Sequence, residues 1–145
     1  MRQPQKKRID WRKRFSSTKA SHVVMLDTAF AGVPAGSRLL ISSPGEIAAY
    51  LAAIPRGQTR TVAQMRSDLA RRAEAAAMCP VTTAIYLRIV AECALEELAA
   101  GKDLAEVVPF WRLVAPADKV AAKLSCGPEG VAHLRSLDAA DATPR

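Results

Sequence analysis

The stretch Val108-Pro109-Phe110-Trp111-Arg112-Leu113-Val114 sets two adjacent aromatic rings between a proline and an arginine. Aromatic residues make up only 5% of the chain, so this stretch concentrates an unusually large ring surface. Such rings either stack on a ligand or fill a hydrophobic core. The stretch alone leaves these two interpretations open, and the fold assignment rests on the frame around the rings.

The rest of the 145-residue chain has the composition of one mainly α domain. A chain of this length buries a sizeable core without disulfides or metal. Half of the residues are apolar, and alanine-rich runs such as 69–77 favour helix by intrinsic propensity. The three cysteines and two histidines lack the spacing of a disulfide framework or a zinc site, so we expect no metal and no cofactor.

Positive charge is concentrated in two segments of the chain. The net charge is +7, and residues 1–20 carry eight basic side chains against one acid. The segment 56–88 carries six arginines against two acids, whereas residues 89–145 are net negative. This distribution suits a polyanion, most often nucleic acid, although a basic terminus is also a common solubilising tail.

Apolar runs in the chain are short. None approaches the roughly 20 residues that span a bilayer, and no signal-type apolar core follows the basic N-terminus. We therefore expect no membrane association and a monomer in the cytoplasm, associated with the nucleoid if the protein binds DNA.

The chain divides into a basic arm at residues 1–20, an extended or strand segment at 21–42, a helical domain at 43–138 and a fraying tail at 139–145. Within the arm, Trp11 and Phe15 stand four residues apart, which suits a short amphipathic helix docked on the body. A disordered tail is the alternative. Within the second segment, residues 38–41 have the pattern of a short strand.

Capping signals mark the helices of the domain. Ser43 and Glu46 are spaced as a capping box for the first helix, and Thr61 can cap the second. Pro80 suits the first turn of a long third helix that ends near Ala99. A final short helix is predicted at residues 129–137.

We interpret the long helix as the element that contacts DNA. We expect its buried face to hold Val81, Ile85, Ile89 and Cys93. Its first half then exposes hydroxyls and one cation rather than acids, and such a helix start can approach phosphates closely. Two helices with a short connection and a following extended segment are consistent with a winged helix-turn-helix, and any helical hairpin is the alternative.

These patterns together predict a DNA-binding surface with solvated arginines on the second helix. Its expected residues are Arg56, Arg60, Thr61, Arg66, Arg71, Arg72, Thr82, Thr83, Tyr86 and Arg88.

Three pieces of the chain resemble, in order and spacing, the DNA-binding domain of the O6-alkylguanine-DNA alkyltransferases. They are 54–61 (IPRGQTRT), 109–114 (PFWRLV) and the helix that begins at Gly127-Pro128-Glu129-Gly130. That family reads IPxGxVxTY, then a recognition helix, then PCHRVV, then a glycine-rich pocket loop and a helix. The similarity extends to uncharacterised, catalytically inactive members with PxTT at the recognition helix and an aromatic pair in the PCHR frame. Over residues 43–138 it implies a winged-helix DNA-binding domain.

The same resemblance argues against the family's reaction. In the family an activated cysteine takes the alkyl group from a flipped guanine, and that position falls on Phe110. The histidine base falls on Trp111, the arginine that fills the gap falls on Ala84, and a tyrosine that turns the nucleotide falls on Val62. None of these side chains can perform the family's role.

Parts of the family's frame are retained. Thr61 matches the helix start, and Gly127 stands for one glycine of the pocket loop. The former active-site pocket is therefore expected at Pro109, Phe110, Trp111, Arg112 and Gly127.

Charge and resemblance together imply a non-enzymatic DNA-binding protein whose partner is duplex DNA, alkylated duplex included. A link to DNA repair or damage recognition would run through stacking of a base on the two rings. One alternative is a protein-interaction module on the same scaffold that has lost DNA binding and anchors a protein partner with Trp111. Another is a cysteine-dependent alkyltransferase with a displaced nucleophile, for which Cys126 has the most open setting.

Overall fold

The structure is a computed structural model that describes residues 8–142. The described residues form a mixed α/β fold in which helix predominates, at about 54%. The elements, in chain order, are α1 (Trp11–Ser17), β1 (His22–Met25), β2 (Arg38–Ile41), α2 (Pro44–Ala52), α3 (Val62–Arg72), β3 (Ala77–Met78), α4 (Pro80–Ala99), α5 (Lys119–Lys123) and α6 (Gly127–Ala142). The first seven residues of the basic arm and residues 143–145 of the tail lie outside this range.

Strand β2 is the centre of a three-stranded sheet. Strand β1 pairs with it in antiparallel orientation, and β3 pairs with it in parallel orientation, with Leu39 opposite Ala77. Leu39 and Leu40 are both buried, and Leu40 belongs to the main hydrophobic core. The short strand predicted at residues 38–41 is confirmed, whereas β3, only two residues long, has no counterpart in the sequence prediction.

The N-terminal arm forms a docked helix from Trp11 onward. Asp10 caps α1 by accepting a hydrogen bond from the Lys13 amide at 3.0 Å. The indole of Trp11 is 9% exposed, and Phe15 packs against the main core. Because α1 lies against α4, the docked-helix interpretation is confirmed for residues 11–17.

Local capping accounts for the starts of α2 and α3. The Ser43 hydroxyl accepts from the Glu46 amide at 3.1 Å, as predicted. The Glu46 carboxylate accepts from the Ser42 hydroxyl at 2.8 Å, so it does not complete the predicted capping box. Thr61 forms a complete box with Gln64, in which each side chain accepts from the other residue's amide, at 3.0 and 2.7 Å.

The aromatic pair lies at the centre of the core. Phe110 and Trp111 form a 3-10 turn, both are 0% exposed, and their ring centroids are 5.3 Å apart in an edge-to-face arrangement. They belong to one cluster with apolar side chains of β2, α2, α3, α4 and α6. The choice between a stacking surface and a core is therefore settled in favour of the core.

The C-terminal helix is longer than the sequence suggested. Helix α6 runs from Gly127 to Ala142, beyond the predicted end at residue 137. The prediction that the tail frays is therefore wrong for residues 139–142. The extra length has a physical reason, because Asp138 is 3% exposed and its carboxylate binds the Arg112 guanidinium.

Candidate nucleic-acid interface

Helix α4 buries only part of the predicted face, since Ile89 is buried as expected and Cys93 is half-buried. Val81 and Ile85, expected to be inward, are 55% and 50% exposed. The buried face holds Thr83, Leu87, Val90, Ala91 and Ala94. Thr83 fits there because its hydroxyl donates to the Cys79 carbonyl at 2.6 Å, which satisfies its polar atom inside the core. The prediction that Thr83 is exposed is wrong.

The first half of α4 is open and the second half is covered. Helix α1 packs along the second half, where Arg12 and Phe15 line a crevice with Cys93 and Glu97. At 100° per residue, Val81, Ala84, Ile85 and Arg88 fall on one stripe of the helix. We call the exposed part of this stripe, Val81, Ala84 and Ile85, the open stripe.

A groove of about 240 Å³ runs beside the open stripe, between α3, α4 and α5. Two positions that the resemblance makes important, Val62 and Ala84, both line it. Arg66 and Lys119 bring positive charge to the groove. Asp118 also lines it, but one of its oxygens accepts from the Ala115 amide at 2.8 Å.

Arg66 is less free than predicted. Its guanidinium donates to the Met78 carbonyl from two nitrogens, at 3.0 and 3.4 Å, and the side chain is half-buried. It therefore joins α3 to β3 while lining the groove. The prediction that all the α3 arginines are solvated is wrong for Arg66.

The other arginines near α3 gather around the Tyr50 ring. Arg60 and Arg72 each place a guanidinium over this ring, at 5.4 and 5.5 Å from its centroid. The Tyr50 hydroxyl donates to Asp68 at 2.6 Å, and Arg71 pairs with the other oxygen of that carboxylate at 2.6 Å. We call Tyr50, Asp68, Arg60, Arg71 and Arg72 the tyrosine cluster.

Hydrogen bonding sets the charge states in this cluster. The hydrogen bond from Tyr50, followed by the charges of Arg71 and Arg72, lowers the pKa of Asp68 despite some desolvation. Burial and the same hydrogen bond raise the pKa of Tyr50. Asp68 is therefore ionised and Tyr50 neutral near pH 7, so three arginines face one carboxylate and the cluster is net positive.

The remaining predicted contact residues are dispersed. Arg56 is exposed and lies 3.9 Å from Asp138, and the Thr61 side chain is exposed while capping α3. Tyr86 is half-buried against the core. Thr82 is also half-buried, and its hydroxyl has no hydrogen-bond partner within residues 8–142. Only part of the predicted set thus lies on one accessible surface.

Arg88 is covered by the N-terminal helix. Its guanidinium lies 5.1 Å from the centroid of the Trp11 ring, and the side chain is half-buried. It therefore marks the end of the open stripe, where α1 begins to cover α4.

The residues that flank the aromatic pair have a structural role. The Arg112 guanidinium donates twice to Asp138, both at 2.9 Å, and once to the Ile54 carbonyl at 2.8 Å. Asp138 also accepts from the Gly57 amide at 3.3 Å. Pro109 is buried, and Gly127 opens α6 with a φ of 65°. These contacts fasten the 54–57 loop and α6 to the aromatic turn.

Asp138 is held ionised by these contacts. Burial acts to raise its pKa, but the hydrogen bonds from Arg112 and Gly57 and the charge of Arg112 outweigh it, so the pKa is lowered. The Trp111 indole N–H contributes to the lowering although it does not reach hydrogen-bonding geometry.

None of the three cysteines has an activating environment. Burial, together with the charges of Glu96 and Glu97, raises the pKa of the Cys93 thiol to about 11. Burial also raises the pKa of Cys126, which is half-buried, and Cys79 is buried. The positive charge of Arg12 acts to lower the pKa of Cys93, but burial and the two glutamates outweigh it, so a thiolate is not favoured there near pH 7. Within the described residues, no group of three or more His, Cys, Asp or Glu side chains could hold a metal ion.

Three residues with electrostatic or structural roles in this region, Tyr50, Lys119 and Asp138, were not singled out from the sequence. Tyr50 falls in the apolar pattern of α2, and Lys119 lies outside the helices and strands predicted from the sequence. Asp138 stood at the edge of the predicted tail. For these three residues the sequence shows only a polar group next to apolar positions. Such a pattern does not indicate which distant residue the polar group contacts.

In comparisons with known proteins, no family model, no curated protein and no solved structure matched this chain. None of the helices in residues 8–142 has the length and apolarity that crossing a bilayer requires.

Proposed function

We propose that this protein binds duplex DNA without catalysis, with the open first half of α4 against the DNA. The observation that carries the proposal is the charge around that half. Arg66 and Lys119 border the groove beside the open stripe, and Arg88 stands at its end. A helix start bordered by cations suits a polyanion, because its free amides and dipole also favour negative charge.

The side chains of the open stripe fit contact with a groove of DNA rather than with phosphates. Val81, Ala84 and Ile85 offer no charge and no hydrogen-bonding group. Apolar side chains of this kind contact sugars and base edges, and in minor-groove binders they can wedge between base steps. The specific contacts are therefore apolar, while affinity comes from the surrounding cations.

Helix α3 and the tyrosine cluster extend the positive surface beyond α4. We infer that α3, β3 and α4 act as a helix-turn-helix of the winged type, as the resemblance to the alkyltransferases implies. If the cations of α3 and α5 neutralise about five phosphates, the logarithm of the affinity falls with a slope of about −4.5 against the logarithm of the salt concentration. Affinity should then drop about 500-fold between 50 and 200 mM salt.

The chemistry of the former pocket supports a non-enzymatic function. Phe110 and Trp111 are both buried, and the thiols have raised pKa values or lie buried. We therefore expect equal affinity for plain duplex and duplex with O6-alkylguanine, and no alkyl transfer to the protein.

Matched variants on α4 test the proposed surface. Ile85→Glu places a negative charge on the open stripe, whereas Ala99→Glu adds the same charge at the far end of the same helix. We expect Ile85→Glu to weaken duplex binding at least 10-fold in a fluorescence anisotropy titration, and Ala99→Glu to change it less than 2-fold. Equal effects of the two variants, or salt-independent binding by the wild type, would contradict the proposal.

A second pair tests the groove through loss of one positive charge. Lys119→Gln removes a cation beside the open stripe, and Lys102→Gln removes one that pairs with Glu97 at the other end of α4. Lys119→Gln should reduce the salt slope by about 1, and Lys102→Gln should leave it unchanged. The same titration with alkylated duplex detects lesion recognition as a preference greater than 10-fold, which the proposal does not expect.

One observation favours a protein partner as a second candidate. Val81 and Ile85 are large, branched and half-exposed, and exposed apolar side chains often mark protein contacts. The earlier form of this alternative, with Trp111 as the anchor, is wrong because Trp111 is fully buried. A partner that requires Ile85, but whose binding is unchanged by Lys119→Gln and by excess duplex, would favour this candidate over DNA.

A further inference from the structure

Two arginines share one indole at the junction of α1 and α4. The guanidinium of Arg14 lies 5.6 Å from the Trp11 ring centroid, and that of Arg88 lies 5.1 Å from it. Cations over an indole are attracted by the ring quadrupole, which explains why both take this position. We call Arg14, Trp11 and Arg88 the arginine–tryptophan stack.

The stack has two positive charges and no carboxylate of its own. Within residues 8–142, neither Arg14 nor Arg88 forms an ion pair, and the Arg88 Nε atom is buried without an acceptor. A buried donor without a partner is uncommon in proteins. Two guanidinium groups on one ring therefore form a positively charged site that suits an anionic ligand.

Three carboxylates on α4 and at the start of α1 are engaged elsewhere. Glu92, one turn beyond Arg88, accepts from the Ser125 amide and hydroxyl at 2.6 and 2.8 Å. Glu97 pairs with Lys102 at 3.4 Å and with Arg12 at 3.8 Å. Asp10 caps its own helix. Each of these three groups therefore has another partner, and none of them forms an ion pair with the stack.

We propose that the arginine–tryptophan stack is a phosphate-binding site, occupied by a phosphodiester of duplex DNA that lies along the open stripe. Arg88 continues that stripe one turn beyond Ile85, so a backbone contact here directly adjoins the apolar contact. The exposed Arg14 and the half-buried Arg88 present guanidinium groups, whose planar donors match phosphate oxygens. Helix α1 is then an element of the DNA interface.

This inference rests on the proposed function, and the test separates the two. Arg14→Gln and Arg88→Gln each remove one charge from the stack. Arg12→Gln removes the same charge from the same helix but from a side chain that faces Glu97. In duplex titrations at several salt concentrations, each stack variant should reduce the salt slope by about 1 and weaken binding about 10-fold at 100 mM salt. Arg12→Gln should change binding less than 2-fold.

Trp11 provides a second readout that does not depend on DNA. Subtracting the emission spectrum of Trp11→Phe from that of the wild type isolates the Trp11 signal, since Trp111 is fully buried and supplies a constant background. Inorganic phosphate should shift this signal in the wild type and in Arg12→Gln, and should not shift it in Arg88→Gln. Circular dichroism establishes that each variant retains its helices.

The outcomes are distinguishable. If duplex binds and the stack variants behave like Arg12→Gln, the inference is overturned and the proposed function stands. If no duplex binds but inorganic phosphate shifts Trp11 through Arg88, the phosphate site stands with a free phosphate as ligand and the proposed function fails. If neither duplex nor phosphate has an effect, both are overturned.

Discussion

Asp138→Asn tests whether the Arg112 pair holds the fold together. The side chains of Arg112 and Asp138 are only 13% and 5% exposed, so this pair is largely shielded from solvent. Removing one partner of a buried pair costs about 3 to 5 kcal/mol, because the remaining charge stays buried. We expect about 3 kcal/mol here, since Arg112 keeps its hydrogen bond to the Ile54 carbonyl.

Urea denaturation followed by tryptophan fluorescence measures this loss directly. A loss of 3 kcal/mol corresponds to a melting temperature lowered by about 6 to 12 °C for a chain of this size. Asp103→Asn is the matched control, because Asp103 is exposed and its side chain makes no cap hydrogen bond. Its effect should stay within about 0.5 kcal/mol. A loss below about 1 kcal/mol in Asp138→Asn would refute the structural role of the pair.

The pH dependence gives the same prediction a second measurement. Because the folded pKa of Asp138 is lowered, its stabilising contribution is complete above the unfolded value of about 3.9. The contribution is lost as the pH falls from that value toward the lower folded pKa. The stability of the wild type should therefore fall in acid more steeply than that of Asp138→Asn. If the stabilities of the wild type and of Asp138→Asn fell in parallel as the pH is lowered, the ionised Asp138 carboxylate would not be the source of this stability.

Three further predictions follow from packing and charge. Gly130→Ala should destabilise the protein by about 1 to 3 kcal/mol, because the new Cβ would lie 2.4 Å from the Cys126 Cβ. Gly45→Ala is the control and should not destabilise it, because the nearest atom would lie at 4.0 Å. Urea denaturation compares the two variants. Phe110→Ala should cost about 3 to 5 kcal/mol in the same assay, and a neutral result would contradict its burial. Cys93, with a pKa of about 11, should react with iodoacetamide at pH 7.5 about 100-fold more slowly than a free thiol, as followed by peptide mass spectrometry.

Elements with local signals were predictable from the sequence. Thr61 caps α3 and Pro80 opens α4 because capping and proline geometry depend on neighbouring residues alone. The strand at residues 38–41 was likewise marked by a compact apolar run. The two-residue β3 carries no such signal, because it forms only by pairing with β2.

The orientation of α4 was not predictable, because the helix is apolar on more than one side. Val81 and Ile85 form one apolar stripe, while Leu87, Val90 and Ala94 form another. Periodicity cannot choose between two such stripes, and packing against α2 and the aromatic turn decides. The predicted DNA-binding surface is wrong for the same reason. The face of α4 that carries the hydroxyls is partly buried, and the exposed face is apolar.

Contacts between residues far apart in the sequence explain the other differences between the predicted and the observed structure. Asp138 finds Arg112 26 residues away, and Tyr50 finds Asp68 18 residues away. In each pair the two residues lie on different elements separated by turns, so no periodicity within one helix or strand signals the contact. The burial of Phe110 and Trp111 was equally a property of the assembled core.

The parallel bridge between β2 and β3 determines which part of the chain can exist independently. The amide of Ala76 donates to the Arg38 carbonyl, and that of Cys79 donates to the Leu40 carbonyl, both at 2.9 Å. In a fragment that begins at Ser43, these two amides, which lie just before α4, would have no acceptors. The core space that Leu40 occupies would also be empty. The segment before the helical domain is therefore its central strand rather than a detachable leader. Recombination or proteolysis at residue 43 should yield a chain that aggregates instead of a smaller working domain.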